Sequence, residues 1–284
     1  MKQAILVVAF GSTVDSAREH QIDAVVNRIK EKYTDYEVRL AFSSRIIVKR
    51  LRDRGIEIPT EQGALDALIG EGYTDIYVQP LHFAGGEEFD KLKHNILNHE
   101  RAQELNTLRV GRPLVYYMGQ EEHPNDYQIL IDTFVTSISV SNEDGLLLIG
   151  HGGLGSGNSA YGYLQYQLIR SGLNHIRVAT LENAPYVADI AVPWEWLDGK
   201  KPNKIYVHPL LLVLGDHALN DLFGDEEDSV VNVLKEAGYE VEEMHHALGE
   251  YTDIQDIYCQ HIQDCIDDIY GKRSSHRPTI PNIK

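Results

Sequence analysis

The sequence predicts an α/β protein of two similar lobes, each a mostly parallel sheet flanked by helices, with a ligand cleft between the lobes. Short apolar runs alternate with helical patterns along the chain, which is typical of parallel sheets covered by helices on both faces. The alternation restarts near residue 141, and two segments of the first half have close counterparts in the second. These observations favour duplication of one α/β lobe.

In the first half, each predicted strand is an apolar run and each predicted helix carries a one-sided apolar stripe. The predicted strands and extended segments are Ile5–Phe10, Val38–Phe42, Asp75–Gln79 and Leu108–Tyr117. The helical stripes are Ile22, Val25, Val26 and Ile29, then Ala64, Leu65, Leu68 and Ile69, then Phe89, Leu92 and Ile96.

The second half repeats this order. Its predicted strands are Leu146–Gly150, Ile176–Leu181, Ile205–Val213 and Tyr239–Val241. Its helical faces are Ala160, Tyr163, Leu164, Gln167 and Leu168, then Val230, Val233 and Leu234, then a last helix at about Ile254–Tyr270. The pattern predicts an N-terminal lobe at 1–140, a C-terminal lobe at 141–250, and a C-terminal helix and tail at 251–284.

Two internal matches locate the expected binding site. Leu6-Val7-Val8-Ala9-Phe10-Gly11 parallels Leu147-Leu148-Ile149-Gly150-His151-Gly152, and Ile76-Tyr77-Val78-Gln79-Pro80-Leu81 parallels Ile205-Tyr206-Val207-His208-Pro209-Leu210. Ligands of doubly wound sheets bind beyond the carboxyl ends of the strands. We therefore expect the functional residues just after the strands, facing a cleft between the lobes.

Composition excludes several classes of partner. The 284 residues carry 26 basic and 43 acidic side chains, so the net charge is −17, which argues against binding to a nucleic-acid backbone. No apolar stretch approaches the roughly 20 residues that span a bilayer. The N-terminal apolar run enters a helix and not a cleavage site, so we expect a cytoplasmic protein. Cys259 and Cys265 are too few for a disulfide framework.

Three residues that can bind a metal follow strands of the second half. His151 follows Leu146–Gly150, and Glu182 comes at the end of Ile176–Leu181. His217 follows the apolar run that starts at Ile205. Two imidazoles and a carboxylate suit Co²⁺, Ni²⁺, Fe²⁺ or Zn²⁺ and leave coordination positions open. The alternative is that these are separate cleft-lining or capping residues.

The first half has different chemistry at the matching positions. Phe10 stands where His151 does, and Glu88 stands where His217 does. One lobe is therefore expected to hold a cation, and the other to present an apolar wall and a carboxylate. The glycines beside His151 and His217 would let a bulky ligand approach the backbone, although tight turns also explain them.

Several motifs resemble the anaerobic sirohydrochlorin cobaltochelatase family, CbiK, in order from about residue 4 to residue 270. They are Ala9-Phe10-Gly11-Ser12, Ala41-Phe42-Ser43-Ser44-Arg45-Ile46-Ile47, Leu51-Arg52-Asp53-Arg54-Gly55-Ile56, Gly86-Glu87-Glu88-Phe89-Asp90-Lys91, Gly150-His151-Gly152 and Leu214-Gly215-Asp216-His217-Ala218-Leu219-Asn220-Asp221. The resemblance implies a class II chelatase that inserts Co²⁺ into sirohydrochlorin or a precorrin-type precursor without a nucleotide. It also implies that His151, Glu182 and His217 bind the metal and that Glu88 faces them.

Binding of the tetrapyrrole is expected to involve Phe10, Ser12, Arg45 and Arg52. Arg45, Lys49 and Arg52 recur at i, i+4, i+7 and could form a basic stripe for the substrate carboxylates. A solvated helix face is the alternative for the stripe, and N-capping is the alternative for Ser12.

Two classes of function stay open from the sequence. The first is the chelatase, with Glu88 or a ligand histidine as acceptor of the pyrrole protons and with iron or nickel as alternative metals. The second is a non-catalytic carrier of metal or tetrapyrrole. Co²⁺ would be substrate and not a resident cofactor. Neither nucleic acid nor a membrane is expected as a partner, and association with further copies of the chain is left open.

Overall fold

The computed structural model describes residues 2–153, 155–191, 194 and 201–270, and the predicted tail beyond residue 270 lies outside them. The strands are, in chain order, β1 (Gln3–Ala9), β2 (Glu37–Phe42), β3 (Asp75–Pro80), β4 (Thr107–Val110), β5 (Gly145–Gly150), β6 (Ile176–Thr180), β7 (Lys204–Pro209) and β8 (Glu240–Glu243). They form two four-stranded sheets of order β2-β1-β3-β4 and β6-β5-β7-β8. All six strand pairings are parallel.

Helices connect these strands and cover both sheets. They are α1 (Asp15–Ala17), α2 (Asp23–Lys32), α3 (Arg45–Asp53), α4 (Glu61–Gly70), α5 (Glu87–Leu97), α6 (Asp126–Thr133), α7 (Ser159–Arg170), α8 (Val187–Ile190), α9 (Asp216–Phe223), α10 (Val230–Glu236) and α11 (Thr252–Ile266). A π-helical turn, Arg18–Ile22, joins α1 to α2. None of the described helices has the length and apolar character needed to cross a membrane.

The central strands are buried along their length because helices pack on both of their faces. In β1, every residue from Ala4 to Ala9 is fully buried, with alternate side chains entering opposite layers of the core. The predicted helical stripes of α2, α4 and α5 are also buried. On α7 the buried tyrosine is Tyr161, whereas the stripe predicted Tyr163.

Two strands are shorter than the sequence predicts. The segment predicted as Leu108–Tyr117 ends as a strand at Val110, because Pro113 has no N–H to donate to a ladder. The segment predicted as Ile205–Val213 ends at Pro209. Beyond it, Leu211 and Leu212 accept hydrogen bonds from the 248–249 backbone and no longer pair within the sheet. The helix α6 was not predicted at all.

The last helix, α11, packs on the first sheet although it follows the second in sequence. Arg112 Nη1 of the first half lies 2.7 Å from Asp264 Oδ2 of α11. The Tyr33 hydroxyl donates to the Cys259 carbonyl at 2.7 Å, and Cys259 itself is a buried free thiol. Since these groups are separated by more than 150 residues, α11 ties the end of the described chain to its beginning.

Candidate functional site

The two sheets have the same topology, and each has its switch point between the first and third strands of its half. The chain leaves β1 towards β2 on one side and then returns to β3 on the other, and β5, β6 and β7 repeat this path. A crevice opens beyond the carboxyl ends of the strands at such a point. Phe10 and His151 follow β1 and β5, and the segments that carry Glu88 and His217 follow β3 and β7.

His151 and Glu182 lie together at the carboxyl edge of the second sheet. The His151 Nδ1 atom is 3.9 Å from Glu182 Oε2, and the two side chains are 59% and 64% exposed. The pairing of β5 with β6 brings them together, and the Glu182 N–H donates to the His151 carbonyl at 2.8 Å. Two exposed ligating groups at this distance can bind an incoming cation with little rearrangement.

The His151 loop comes unusually close to the Glu182 loop. Gly152 has φ +83°, a conformation that glycine adopts at little cost, and a Cβ at this residue would overlap the Glu182 carbonyl oxygen. Asn158 accepts from the Gly153 N–H at 3.0 Å and donates to the Ala184 carbonyl. Asn183 donates to the Gly153 carbonyl at 3.1 Å. These bonds hold both loops in one arrangement.

An aromatic pair joins the His151 loop to the first lobe. The ring of Phe83, from the turn after β3, stacks on Tyr161 with centroids 5.3 Å apart and planes 6° apart. Burial raises the pKa of Tyr161 to about 12, while the backbone N–H groups of Gly152 and His151 act to lower it. Since these N–H groups face the phenolic oxygen, Tyr161 helps to fix the backbone at His151 and Gly152.

His217 and Glu88 occupy equivalent positions in the two lobes. Each is the second residue of the helix that follows the third strand of its half, and a glycine, Gly215 or Gly86, precedes that helix as its N-cap. His217 is exposed. Within the described residues, no three His, Cys, Asp or Glu side chains lie close enough to hold one ion. The structure thus pairs His151 with Glu182 and leaves His217 outside a formed triad.

Glu88 is electrostatically linked to the pair across the cleft. Desolvation raises the pKa of its carboxyl group, His151 and Lys91 act to lower it, and Glu87 and Glu182 raise it further. Gly86, just before α5, lies against Gly157, where a Cβ on either glycine would come within about 3 Å of the other's backbone. The turn just before Glu88 and α5 therefore adjoins the loop that follows His151.

The predicted tetrapyrrole-binding residues differ in exposure. Phe10 is 47% exposed at the end of β1, as an apolar wall requires. Arg45 and Arg52 are exposed on α3, which begins three residues after the last residue of β2. Ser12 is buried, and its Oγ accepts from the Val14 N–H at 3.1 Å. The Ser12 oxygen is thus used in the turn before α1, whose N-cap is Val14 and has no side-chain hydrogen bond.

The sequence did not point to the residues that support the site. Phe83 and Asn183 fall in turns and Asn158 ends a short 3-10 helix, where a linear pattern carries no periodicity. Tyr161 directly follows Ala160, the first residue of the predicted stripe, but is not part of that stripe. The glycines around His151 were the one available signal, since three glycines within the four residues 150–153 at the end of a buried strand indicate close approach of another backbone.

Comparison with known proteins identifies the family. A family model described as cobalt chelatase (CbiK) matches residues 3–267. The chain belongs to the CbiK family. Members that it resembles include the sirohydrochlorin cobaltochelatase of Salmonella typhimurium, 30% identical over 94% of this chain and 97% of the relative. Another is the sirohydrochlorin cobaltochelatase CbiKC of Nitratidesulfovibrio vulgaris, 26% identical over 92% of this chain and 89% of the relative.

Solved structures share the fold of this CbiK member. SirB from Bacillus subtilis with Fe³⁺ superposes with a TM-score of 0.66 at 17% identity, over 96% of this chain and 98% of SirB. CbiX, described as the terminal enzyme for siroheme biosynthesis in denitrifying bacteria, gives a TM-score of 0.52 at 17% identity, over 92% and 98%. These likenesses confirm the predicted pair of similar α/β lobes.

Proposed function

We propose that this protein is a sirohydrochlorin cobaltochelatase, which inserts Co²⁺ into a sirohydrochlorin-type tetrapyrrole without a nucleotide. The observation that carries the proposal is the exposed His151–Glu182 pair, 3.9 Å apart at the carboxyl edge of the second sheet. Membership of the CbiK family and the two relatives of that activity support it. The metal ion is a substrate in this reaction.

Capture of the ion requires ligands that displace water and later release the metal. His151, Glu182 and His217 are the proposed ligands. A closed four-ligand shell is typical of structural metal sites, whereas an incomplete set leaves positions for water and for pyrrole nitrogen. Because His217 stands apart from the His151–Glu182 pair, we infer that the ion is first held by the pair and that His217 joins as the ion binds.

Insertion also releases two protons from pyrrole nitrogens for each Co²⁺ that enters the ring. Glu88 is the proposed acceptor, since its charge interacts with those of His151 and Glu182 and desolvation raises the pKa of its carboxyl group. A raised pKa makes a carboxylate a better proton acceptor near neutral pH. Glu88 accepts the two protons one after the other and passes each to solvent. The two positive charges that leave the ring as protons balance the two charges of the Co²⁺ that enters it.

The basic stripe on α3 is the proposed site for the carboxylates of the substrate. Sirohydrochlorin carries eight carboxylates, and the overall net charge of −17 would repel it. Local charge decides the interaction at short range, because salt screens charges more than about 8–10 Å apart. Arg45, Lys49 and Arg52 are exposed just beyond the end of β2. Phe10 would contact the face of the macrocycle.

Anaerobic incubation with sirohydrochlorin and Co²⁺, followed by absorbance, tests the function. We expect turnover by the wild-type protein and its loss, by at least about a hundredfold, in His151→Ala and in His217→Ala. Both side chains are exposed, so the variants should fold normally. His94→Ala, an exposed histidine of α5, is the matched control and should keep full activity.

The same assay separates the alternatives. Stoichiometric binding without turnover would support the carrier and contradict the chelatase, and faster insertion of Fe²⁺ or Ni²⁺ would reassign the metal. Glu88→Gln should bind Co²⁺ normally but insert it slowly. If either histidine variant kept near-normal turnover, the shared metal site would be wrong.

A further inference from the structure

Gln21 connects the two lobes next to the segment that carries His217. It lies in the π-helical turn Arg18–Ile22, where the helix after β1 widens by one residue. Its side chain is only 7% exposed. Single π-turns within α-helices often occur at functional sites, because they turn one side chain away from the regular helical positions.

Both ends of the Gln21 amide are used across the lobe boundary. Its Oε1 accepts a hydrogen bond from the Leu214 N–H at 2.8 Å, and its Nε2 donates to Glu250 Oε1 at 2.8 Å. An amide that must accept at one end and donate at the other has one orientation. The Gln21 side chain is therefore fixed by two partners that lie 193 and 229 residues away.

Glu250, which accepts the hydrogen bond from Gln21 Nε2, is itself held in place by further hydrogen bonds. Its Oε1 accepts from the Ala247 N–H at 3.0 Å, and its Oε2 lies 2.9 Å from His246 Nδ1. Desolvation raises the pKa of Glu250, but the bonds from Ala247, His246 and Gln21 outweigh it and lower the pKa. A Cβ on Gly249 would overlap the Gln21 carbonyl oxygen, so the two segments pack directly.

Leu214 is the last buried residue before the metal-binding segment. It is 3% exposed, and it is followed by Gly215, which caps α9, then Asp216 and His217. A Cβ on Gly215 would lie 3.9 Å from Ser12 Oγ, which places this turn against the turn after β1. Without Gln21, the buried Leu214 N–H would lack its partner, and because an unpaired buried donor is unfavourable, the segment would tend to move.

We propose that Gln21 is a positioning residue for His217, acting through the Leu214 backbone from the opposite lobe. This inference rests on the proposed function, because it takes His217 as a metal ligand. His217 lies apart from the His151–Glu182 pair, so the path of the 210–216 segment decides whether it reaches the ion. The hydrogen bond from Leu214 to Gln21 fixes that path to the frame of the first lobe.

Three variants of the full chain test the proposal by Co²⁺ titration, followed by the visible absorption of the bound ion. Gln21→Leu removes both hydrogen bonds. Glu250→Ala removes the acceptor of the Gln21 amide N–H but leaves the bond from the Leu214 N–H to Gln21 Oε1 in place. Gln255→Leu is the control: it removes a buried amide that donates to the Gly249 carbonyl at 2.9 Å but does not touch Leu214.

We expect Gln21→Leu to weaken Co²⁺ binding about tenfold and to raise KM for Co²⁺ with a smaller change in kcat. Glu250→Ala should keep Co²⁺ affinity within about threefold of wild type, because the Leu214 bond is retained. Gln255→Leu should lower thermal stability and leave Co²⁺ affinity unchanged. Wild-type affinity in a folded Gln21→Leu protein would overturn the proposal. A loss in Glu250→Ala or in Gln255→Leu equal to that in Gln21→Leu would also overturn it. If the wild-type protein bound no Co²⁺, the proposed metal site itself would fail.

Discussion

At the scale of single residues, the arrangement of His151 and Glu182, the proposed metal ligands, depends on Gly152. Its φ of +83° is costly for other residues, and a side chain there would meet the Glu182 carbonyl. We predict that Gly152→Ala separates the two loops and lowers Co²⁺ affinity and insertion by about tenfold or more. The same change should cost roughly 1–3 kcal/mol of stability. Co²⁺ titration and urea unfolding measure the two effects.

The neighbouring Gly153 provides the control for this prediction. A Cβ on Gly153 would meet nothing within 4 Å, and its φ is not in the positive range. Gly153→Ala should therefore leave affinity and stability close to wild type. Equal losses in the two variants would mean that loop flexibility, and not the contact with Glu182, sets the affinity.

At the scale of elements, α3 concentrates positive charge on one side. Arg45, Lys49 and Arg52 lie within one stripe, and within the described part of the chain none of them makes an ion pair. Arg54 instead lies 2.6 Å from Asp15. We predict that Arg45→Gln with Arg52→Gln raises KM for sirohydrochlorin about tenfold at low salt, and that the difference shrinks as salt shortens the screening length.

Arg50 is the matched control for the stripe. It is exposed on the same helix but lies about 140° around the axis from Arg45 at 100° per residue. Arg50→Gln removes one charge from α3 without removing it from the stripe, so KM should change little. A KM that stays constant in the double variant at low ionic strength would return Arg45 and Arg52 to an ordinary solvated face.

The elements that the sequence predicted well are those whose burial is uniform. Fully buried strands such as β1 and β5 read as continuous apolar runs, and helices over a sheet carry a single stripe. Edge elements gave weaker signals. The strand β8 reads Glu-Val-Glu-Glu and is half-exposed, while α6 follows a turn-rich segment and buries Asp126. The Asp126 carboxylate accepts from the Tyr117 N–H at 2.9 Å, a tertiary contact that no periodicity reveals.

The site residues also divide into those that the sequence pattern could locate and those that depend on tertiary contacts. His151, Glu182, His217 and Glu88 could be proposed because strand ends converge wherever a parallel sheet forms. Gln21 could not, because its partners lie in the other lobe and its position depends on a π-turn. Linear sequence places chemistry at a sheet edge, but the contacts between two lobes arise only when both are folded.

At the scale of the whole molecule, each lobe buries neutral imidazole. Burial lowers the pKa of His82, in the first lobe, and of His208, in the second, to about 4. His208 has partners, since its ring nitrogens lie 2.8 Å from the Pro209 carbonyl oxygen and from the Tyr251 hydroxyl. The two ring nitrogens of His82 are shielded from solvent and have no hydrogen-bond partner among the described residues.

These histidines predict acid-sensitive folding of both lobes. In the unfolded chain an imidazole binds a proton near pH 6.5, whereas the folded protein resists protonation down to about pH 4. The unfolded state therefore binds more protons between these values, so the stability contributed by each neutral histidine is complete above about pH 6.5 and is lost as the pH falls towards 4. At roughly 1.4 kcal/mol per pKa unit, each histidine can remove about 3 kcal/mol over this range.

The His82→Leu variant isolates the contribution of the first lobe. The equivalent residue of the second lobe is Leu211, so the fold accepts leucine at this place. Because the variant removes a buried imidazole whose nitrogens have no described partner, we expect it to be about 1 kcal/mol more stable at pH 7. Its stability should also fall less steeply than wild type between pH 6.5 and 4. Urea unfolding at several pH values measures both effects, and an unchanged slope would mean that the acid sensitivity arises from other groups, such as the buried Asp126–Arg112–Asp264 cluster that holds α11 to the first lobe.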